Sequence, residues 1–326
     1  MKAIVRQQYG GPEHLVIRDV PDPIVQPGEV LLRVKAFGIN QAERYFRKGL
    51  WGEVAAISGI ECAGEVVDDP SRRLLSGQRV LALMGGMGRT RSGSYAQLVA
   101  VPAANVVPVR TALDWTDLAA LPTSYATAWS CLHDNLGVRR GDTVLIRGAT
   151  SALGLAALNL ARQAKAHVVA TVRRAERADC ARENGADDVL LESELPDVWP
   201  RIAASGADCV LDLIGTATLL SSLRMTRRGG HVCMAGFLGG HEPLDTFDPL
   251  AHLPSGRHLS FFGSAFVYGT PDYPLAEIPF QQMIEWVEQG VLRAKPARVF
   301  AFDEIQTAHR MLDEGGGAGK MVVTCH

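Results

Sequence analysis

Thr143-Val144-Leu145-Ile146-Arg147 runs directly into Gly148-Ala149-Thr150-Ser151-Ala152-Leu153-Gly154, continues as Leu155-Ala156-Ala157-Leu158-Asn159-Leu160-Ala161, and is followed by His167-Val168-Val169-Ala170-Thr171-Val172. The first run is short, β-branched and apolar, as a strand buried in a parallel sheet requires. The small-residue turn predicts a reversal into a helix whose first N–H groups have no partner inside the helix. Such a turn admits a pyrophosphate. The unpaired N–H groups and the positive end of the helix dipole meet the phosphate charge, and small side chains keep the approach open. Ser151 and Gly154 carry most of this expectation, with Thr150, Ala152 and Leu153 completing the cradle.

The second strand should end beside an adenosine ribose. A site for NAD wants Asp or Glu there to hold the ribose 2′-hydroxyl. This chain offers Thr171 and then Arg173, Arg174 and Arg177, and guanidinium groups would pair with a 2′-phosphate. NADPH is therefore the expected cofactor. Arginines opening a surface helix are also commonly a solvated face, and Glu176 among them offsets part of the attraction, so that alternative stays open.

The 326 residues are too many for one ordinary core and fit two domains, at roughly 150 residues per domain. An apolar content of 47% and a charged content of 21% are those of a globular protein in water, and a net charge of −2 gives no reason to expect nucleic acid or an anionic membrane as partner. No apolar run approaches the roughly 20 residues that span a bilayer, and Met1-Lys2-Ala3-Ile4-Val5-Arg6 reads as a strand rather than a signal peptide. Cytoplasm is the expected location. The six cysteines are scattered without a Cys-x-x-Cys pair, which argues against a disulfide framework and a four-cysteine zinc site. Cys131-Leu132-His133-Asp134 reads as ordinary helix composition.

Up to about residue 110 the chain is a series of short strands broken by Gly and Pro, clearest at 29–36, 63–67, 79–83 and 95–101. From Asp114 helices alternate with apolar strands, beginning with a helical stretch to His133 and continuing with strands at 209–214, 231–236 and 259–263. Two amphipathic helices, 279–289 and 302–312, the glycine turn Gly315-Gly316-Gly317 and a lone strand 320–323 close the chain. A lone strand needs a sheet to join. The expected organisation is a β-rich domain in two parts, 1–121 and 260–326, around an inserted α/β domain at 122–259.

Over nearly its whole length the chain resembles the medium-chain dehydrogenase/reductases, and within them the zinc-independent quinone oxidoreductases that include zeta-crystallin. The resemblance rests on Gly38-Ile39-Asn40, Arg47-Lys48-Gly49, Gly59-Ile60-Glu61-Cys62-Ala63-Gly64-Glu65-Val66, Gly93-Ser94-Tyr95-Ala96, Leu121 to Trp129, Gly148 to Gly154, and Gly319-Lys320-Met321-Val322-Val323. It implies a GroES-like β-rich catalytic domain with an inserted Rossmann domain, and a homodimer formed along the edge of the Rossmann sheet. Zinc-dependent relatives carry a cysteine shortly after the glycine at 38 and a Gly-His-Glu motif; this chain has Ile39-Asn40-Gln41 and Gly59-Ile60-Glu61 instead. A catalytic zinc needs three protein ligands, so no metal is expected. Ser151 and Ala152 stand where relatives have glycines, and the Ser151 hydroxyl is expected to donate to the phosphate. Glu192 falls near where several relatives present a tyrosine to the adenosine phosphate.

Hydride transfer requires the nicotinamide carbon about 3 to 3.5 Å from an electron-poor carbon, so catalysis is mostly positioning. Without a Lewis acid, quinones and α,β-unsaturated carbonyls are the favoured substrates, because conjugation spreads the added charge. The resemblance places Asn40 and Tyr45 at the substrate, Asn40 donating to a developing oxyanion and Tyr45 donating a hydrogen bond or the final proton, with Trp51 as a wall. It places Thr127 at the nicotinamide carboxamide, against the alternative of a helix hydroxyl bonded to its own turn. Gly236, Phe237 and Leu238, with Phe262, Gly263 and Ser264, are expected beside the nicotinamide half at the carboxyl edge of the sheet. Gly215 is a cofactor contact or a turn residue, and Lys320 a cofactor contact or a solvated edge charge. An enoyl-thioester reductase and a non-catalytic NADPH-binding protein are the competing functions.

Overall fold

The chain, seen in a computed structural model that describes residues 1–240, 242–315 and 317–325, forms two compact units, Met1–Ala126 with Ser264–His326 and Thr127–Gly263. Gly316, in the expected glycine turn, lies outside the described residues.

In the 127–263 unit, six parallel strands lie in the order Asp188–Leu191, His167–Val172, Thr143–Arg147, Ala207–Asp212, Thr226–Met234 and His258–Phe261. Read along the chain, this is the doubly wound order that reverses beside the first strand, where such sheets take their ligands at the carboxyl edge. Val144, Leu145 and Ile146 are fully buried, which is what their unbroken apolar run requires. Both this strand and His167–Val172 have the bounds the sequence predicts. The strand expected over 209–214 stops at Asp212, because the Asp212 carboxylate accepts the N–H groups of Ile214 at 2.9 Å and Gly215 at 3.0 Å and turns the chain. The short strand Asp188–Leu191 and the helix Leu195–Ile202 carry too few residues for the sequence pattern to reveal them. Trp199 of that helix nevertheless anchors a core with Leu145, Val169, Val210 and Val232.

The other unit holds a seven-stranded sheet with the path Arg298–Phe300, Met321–Thr324, Glu29–Ile39, Glu61–Asp68, Arg79–Leu83 and Val106–Pro108, while Leu98–Pro102 also pairs with Glu29–Ile39. The C-terminal strand runs antiparallel to the long one, setting Met321 against Ile39 and Val323 against Phe37. Gly38 lies in that register for a steric reason: a Cβ there would sit 2.4 Å from Glu61 Oε1 and from Lys320 Cε. The helix expected from 114 to 133 is interrupted. Pro122 has no N–H to continue it, and the chain forms Trp115–Ala119, then Pro122–Ser130, then a wider turn at Cys131–Asn135.

Helix Gln41–Lys48 is tied to helix Ile305–Asp313 by the fully buried Arg47. Its guanidinium donates to Asp313 Oδ2 at 2.6 Å, to Gly10 O at 2.5 Å and to His309 Nδ1 at 3.3 Å. With Nδ1 accepting, the remaining ring N–H of His309 faces the Tyr95 hydroxyl at 3.0 Å. Burial, and then the nearby Arg47 charge, lower the His309 pKa to about 3.

Candidate active site

In the 127–263 unit the sequence-predicted residues gather at one edge. Because the strands are parallel, Gly148, Arg173, Gly215, Gly236 and Phe262 all follow carboxyl ends. The helix Ala152–Gln163 opens at Ser151, whose Oγ accepts from Gly154 N–H and donates to Gly148 O, both at 3.0 Å. The expected donation from Ser151 to a phosphate is therefore not the hydroxyl's arrangement here, since its proton is spent on the turn's own carbonyl. The Ala152 and Leu153 N–H groups remain the open first-turn donors. Gly154 must be glycine, because a Cβ would lie 2.5 Å from Ala149 O. Thr150 is half-buried on the turn.

Arg173 and Arg174 are exposed, Arg177 is half-buried, and none of the three makes a side-chain hydrogen bond or ion pair among the described residues. Thr127 and Thr171 are buried, and neither hydroxyl has a hydrogen-bond partner among the described residues. Thr127 thus lacks the back-bond to its own helix that was its alternative reading. Gly215 has φ +107°, and a Cβ on it would come within 2.8 Å of Gly236 O, so these two backbones need each other's bareness. The loop after the fifth strand is stitched down by Leu238 N–H to Leu213 O at 3.1 Å, leaving Phe237 half-buried and Leu238 exposed. Phe262 and Gly263 end this unit, while Ser264 opens a short helix of the other.

Sequence reasoning passed over Arg147, although a charge ending a buried strand is itself a signal. It is only 3% exposed and reaches Glu192 Oε1 from Nε at 3.1 Å and from Nη2, and the Ser221 and Ser222 hydroxyls at 2.6 and 2.7 Å. The Glu192 carboxylate is thereby neutralised within its own unit and offers little opposition to an incoming phosphate.

In the other unit Asn40, Glu43, Glu61 and Lys320 form one cluster. Glu61 is fully buried and accepts from Thr123 N–H at 2.7 Å, from Asn40 Nδ2 at 2.8 Å and from the Lys320 ammonium. Lys320 Nζ also donates to Asn40 Oδ1 at 2.5 Å, so the Asn40 amide is engaged at both ends. This differs from an amide aimed freely at an oxyanion: one Nδ2 proton serves Glu61 and the other points toward Glu43 at 3.5 Å. Lys320 is 5% exposed, which removes the reading of a solvated edge charge. Glu43 was missed, although Asn-x-x-Glu opening an amphipathic helix is a capping pattern. Its carboxylate accepts from Asn40 N–H at 2.8 Å and Ile60 N–H at 3.1 Å.

Burial, only partly offset by Lys320, raises the Glu43 pKa to about 7. Glu43 and His309 then tilt stability in opposite directions, at up to about 1.4 kcal/mol per pH unit each. Glu43 binds its proton more tightly folded than unfolded, so its contribution is full below about pH 4.5 and is lost as pH rises through about 7. His309 binds its proton less tightly folded, so its contribution is full above about 6.5 and is lost as pH falls toward about 3. Between pH 4.5 and 6.5 the two should nearly cancel. Removing the titration in Glu43→Gln should expose the His309 slope, so that chemical denaturation shows stability falling steeply below pH 6.5; a profile parallel to that of the unaltered protein would contradict this.

Tyr45 is 6% exposed, and its ring lies nearly parallel to Trp51 with centroids 6.1 Å apart. Trp51 continues the stack to Phe266 at 6.3 Å and touches Phe46 at 5.4 Å. Trp51 is thus the middle of an aromatic wall. Burial pushes the Tyr45 hydroxyl above its ordinary pKa, with Arg44 pulling it partly back, so it holds its proton more firmly than a free phenol.

The residues at the corner of Gly38 do not match a zinc site. Ile60 has no donor atom, Glu61 is paired with an ammonium, and burial drives the Cys62 thiol far up from the thiolate a metal needs. Among the described residues no group of three or more His, Cys, Asp or Glu side chains is placed to hold a metal ion. The nucleotide cradle is the opposite case: its open N–H donors, orphaned threonine hydroxyls and unpaired arginines fit a phosphorylated dinucleotide.

Comparison with known proteins agrees with both units. Residues 26–111 match the family described as the alcohol dehydrogenase GroES-like domain, and residues 152–288 the family described as zinc-binding dehydrogenase. The chain is 27% identical to the quinone oxidoreductase of Homo sapiens, the alignment covering 99% of this chain and 97% of that one. A solved 2-haloacrylate reductase is 28% identical with a TM-score of 0.86, each chain covered completely. The quinone oxidoreductase of Escherichia coli, solved with NADPH, shares the fold at 22% identity and a TM-score of 0.88, again over both whole chains.

Proposed function

Since the chain belongs to the medium-chain dehydrogenase/reductases of the quinone-oxidoreductase type and is an oxidoreductase, we propose that it uses NADPH to reduce a quinone or an α,β-unsaturated carbonyl without a metal. The observation that carries this reading is the end of the strand His167–Val172, where two exposed arginines, unpaired among the described residues, follow directly in place of an acidic residue that would hold a ribose 2′-hydroxyl. NADPH bound at this edge supplies the hydride. The first turn of Ala152–Gln163 would hold its pyrophosphate, Arg173, Arg174 and Arg177 its 2′-phosphate, and the Thr127 hydroxyl its carboxamide.

The substrate side belongs to the other unit. Tyr45 and Trp51 present flat apolar surface suited to a conjugated ring or enone. The Tyr45 hydroxyl serves best as a hydrogen-bond donor to the substrate oxygen, since its raised pKa disfavours giving the proton away. Lys320 and Glu61 fix the Asn40 amide plane, so Asn40 acts by orientation. Without a Lewis acid, the charge that hydride addition leaves on the substrate is best spread by conjugation, which favours quinones and enones over isolated ketones. Similarity to quinone oxidoreductases supports the quinone, and similarity to a 2-haloacrylate reductase supports an activated C=C bond.

The strand His258–Phe261 at the sheet edge exposes Leu259 and Phe261, which supports self-pairing of two copies there as a homodimer. A cytoplasmic location is proposed with it; among the described residues no helix is long and apolar enough to cross a membrane. The test is a panel of quinones, enones and enoyl thioesters with NADPH and NADH, followed at 340 nm. Turnover of quinones or enones, faster with NADPH, is expected. Binding of NADPH with no absorbance change across the panel would make the protein a nucleotide-binding protein rather than an enzyme, and turnover confined to enoyl thioesters would move the substrate class.

A further inference from the structure

A second feature of the β-rich unit borders the aromatic wall, since Arg89 stacks on Phe266 and Phe266 on Trp51. Between the N-terminal strand, the loop after helix Gln41–Lys48 and residues 89–90 lies a cavity of about 790 Å³, lined among others by Arg6, Tyr9, Gly52, Glu53, Arg89 and Thr90. Arg6 is 9% exposed, yet no salt bridge reaches it among the described residues. Its Nη2 donates to Val54 O at 2.8 Å and its guanidinium carbon lies 3.8 Å from the Tyr9 ring centroid, but the buried Nε–H has no acceptor. The Tyr9 hydroxyl holds the wall in place, donating to Gly52 O at 3.2 Å and accepting from Val54 N–H at 3.3 Å.

Arg89 approaches the same space and is also without a carboxylate among the described residues. Its Nη1 donates to Ala265 O at 2.9 Å and its guanidinium stacks 4.5 Å from the Phe266 ring centroid. Carbonyls and rings position a guanidinium but do not neutralise it. A buried cation without a counter-charge costs several kcal/mol, and the buried Arg6, with the half-buried Arg89 on the same lining, is compensated where an anion completes the pair.

We propose that this cavity binds the carboxylate of a small organic monoacid, with Arg6 and Arg89 as its donors and the Tyr9 face against its apolar body. A monoanion matches the charge, because Glu53 on the same lining leaves the two arginines one net positive charge. The planar guanidinium of Arg6 suits a carboxylate. Its lining includes no residue of the nucleotide cradle, and carboxylate binding is measured without nucleotide, so its failure is distinguishable from failure of the proposed hydride transfer.

Titration calorimetry on the full chain without nucleotide, using benzoate and the neutral isostere benzamide as probes, tests it. One benzoate per chain is expected, with benzamide at least about tenfold weaker. Arg6→Gln and Arg89→Gln should each weaken benzoate by about tenfold or more. Glu53→Gln should tighten it, a change that damage to folding does not produce. Thermal unfolding of each variant separates lost binding from lost structure. The proposal is overturned if benzoate does not bind, if benzamide binds equally well, or if folded Arg89→Gln binds benzoate unchanged.

Discussion

Replacing Arg173 and Arg177 together by alanine should weaken NADPH by roughly 100-fold while leaving NADH within about threefold of its original affinity. A hydrogen bond between charged groups contributes about 1.5–3 kcal/mol, so losing two from a phosphate amounts to two orders of magnitude. NADH lacks the 2′-phosphate and should not register their absence. The side chains make no hydrogen bond or ion pair among the described residues, so their removal should leave the thermal unfolding temperature unchanged. Fluorescence titration with both nucleotides gives the ratio. Equal weakening of the two would show that these arginines belong to a solvated face. Pairing of Glu192 with Arg147 favours the selective outcome, because one acidic competitor is already engaged.

Lys320→Met should be the most damaging single substitution to the fold of the β-rich unit. It leaves the fully buried Glu61 carboxylate without its ammonium, a loss of about 3–5 kcal/mol and a fall in melting temperature on the order of 10 °C. Adding Glu61→Gln removes the stranded charge and should recover most of the loss, with calorimetry of the single and double variants as the measurement. If the single variant melts within a degree or two of the original, the ion pair is not what holds this corner. The same substitution releases the Asn40 amide from one of its two restraints. A fall in kcat that Glu61→Gln does not rescue would therefore separate Asn40's orientation from stability.

The stretch from Thr143 to Val172 was readable because its signals are local. A strand buried on both faces must be apolar throughout, and a turn that admits a phosphate must be small, so composition and order along a few residues carry the information. The return of the tail was also legible in outline: an amphipathic helix followed by a lone apolar strand implies a sheet elsewhere, and Met321–Thr324 pairs with Glu29–Ile39. The break at Pro122 and the early stop at Asp212 show the limit of the same approach. Periodicity continues through both points, while a missing N–H and a side-chain acceptor decide where the backbone turns.

The candidate site divides along the same line. That Asn40, Tyr45 and Lys320 matter was suggested by motifs, but what each does depends on partners far away in the chain. Asn40 meets Glu61 and Lys320, 21 and 280 residues distant, and this contact turns a freely donating amide into a fixed one. The Glu43 pKa, the neutral His309 and the Arg6 guanidinium, with no carboxylate against it among the described residues, are likewise products of burial, which no residue carries in its own identity. The sequence by itself determined the doubly wound sheet, its small-residue turn and the arginines after its second strand, because those depend on neighbours along the chain. Only the tertiary structure decided which charges are paired, which are stranded and which protons are held, because electrostatic energy depends on distance and solvent exposure in space.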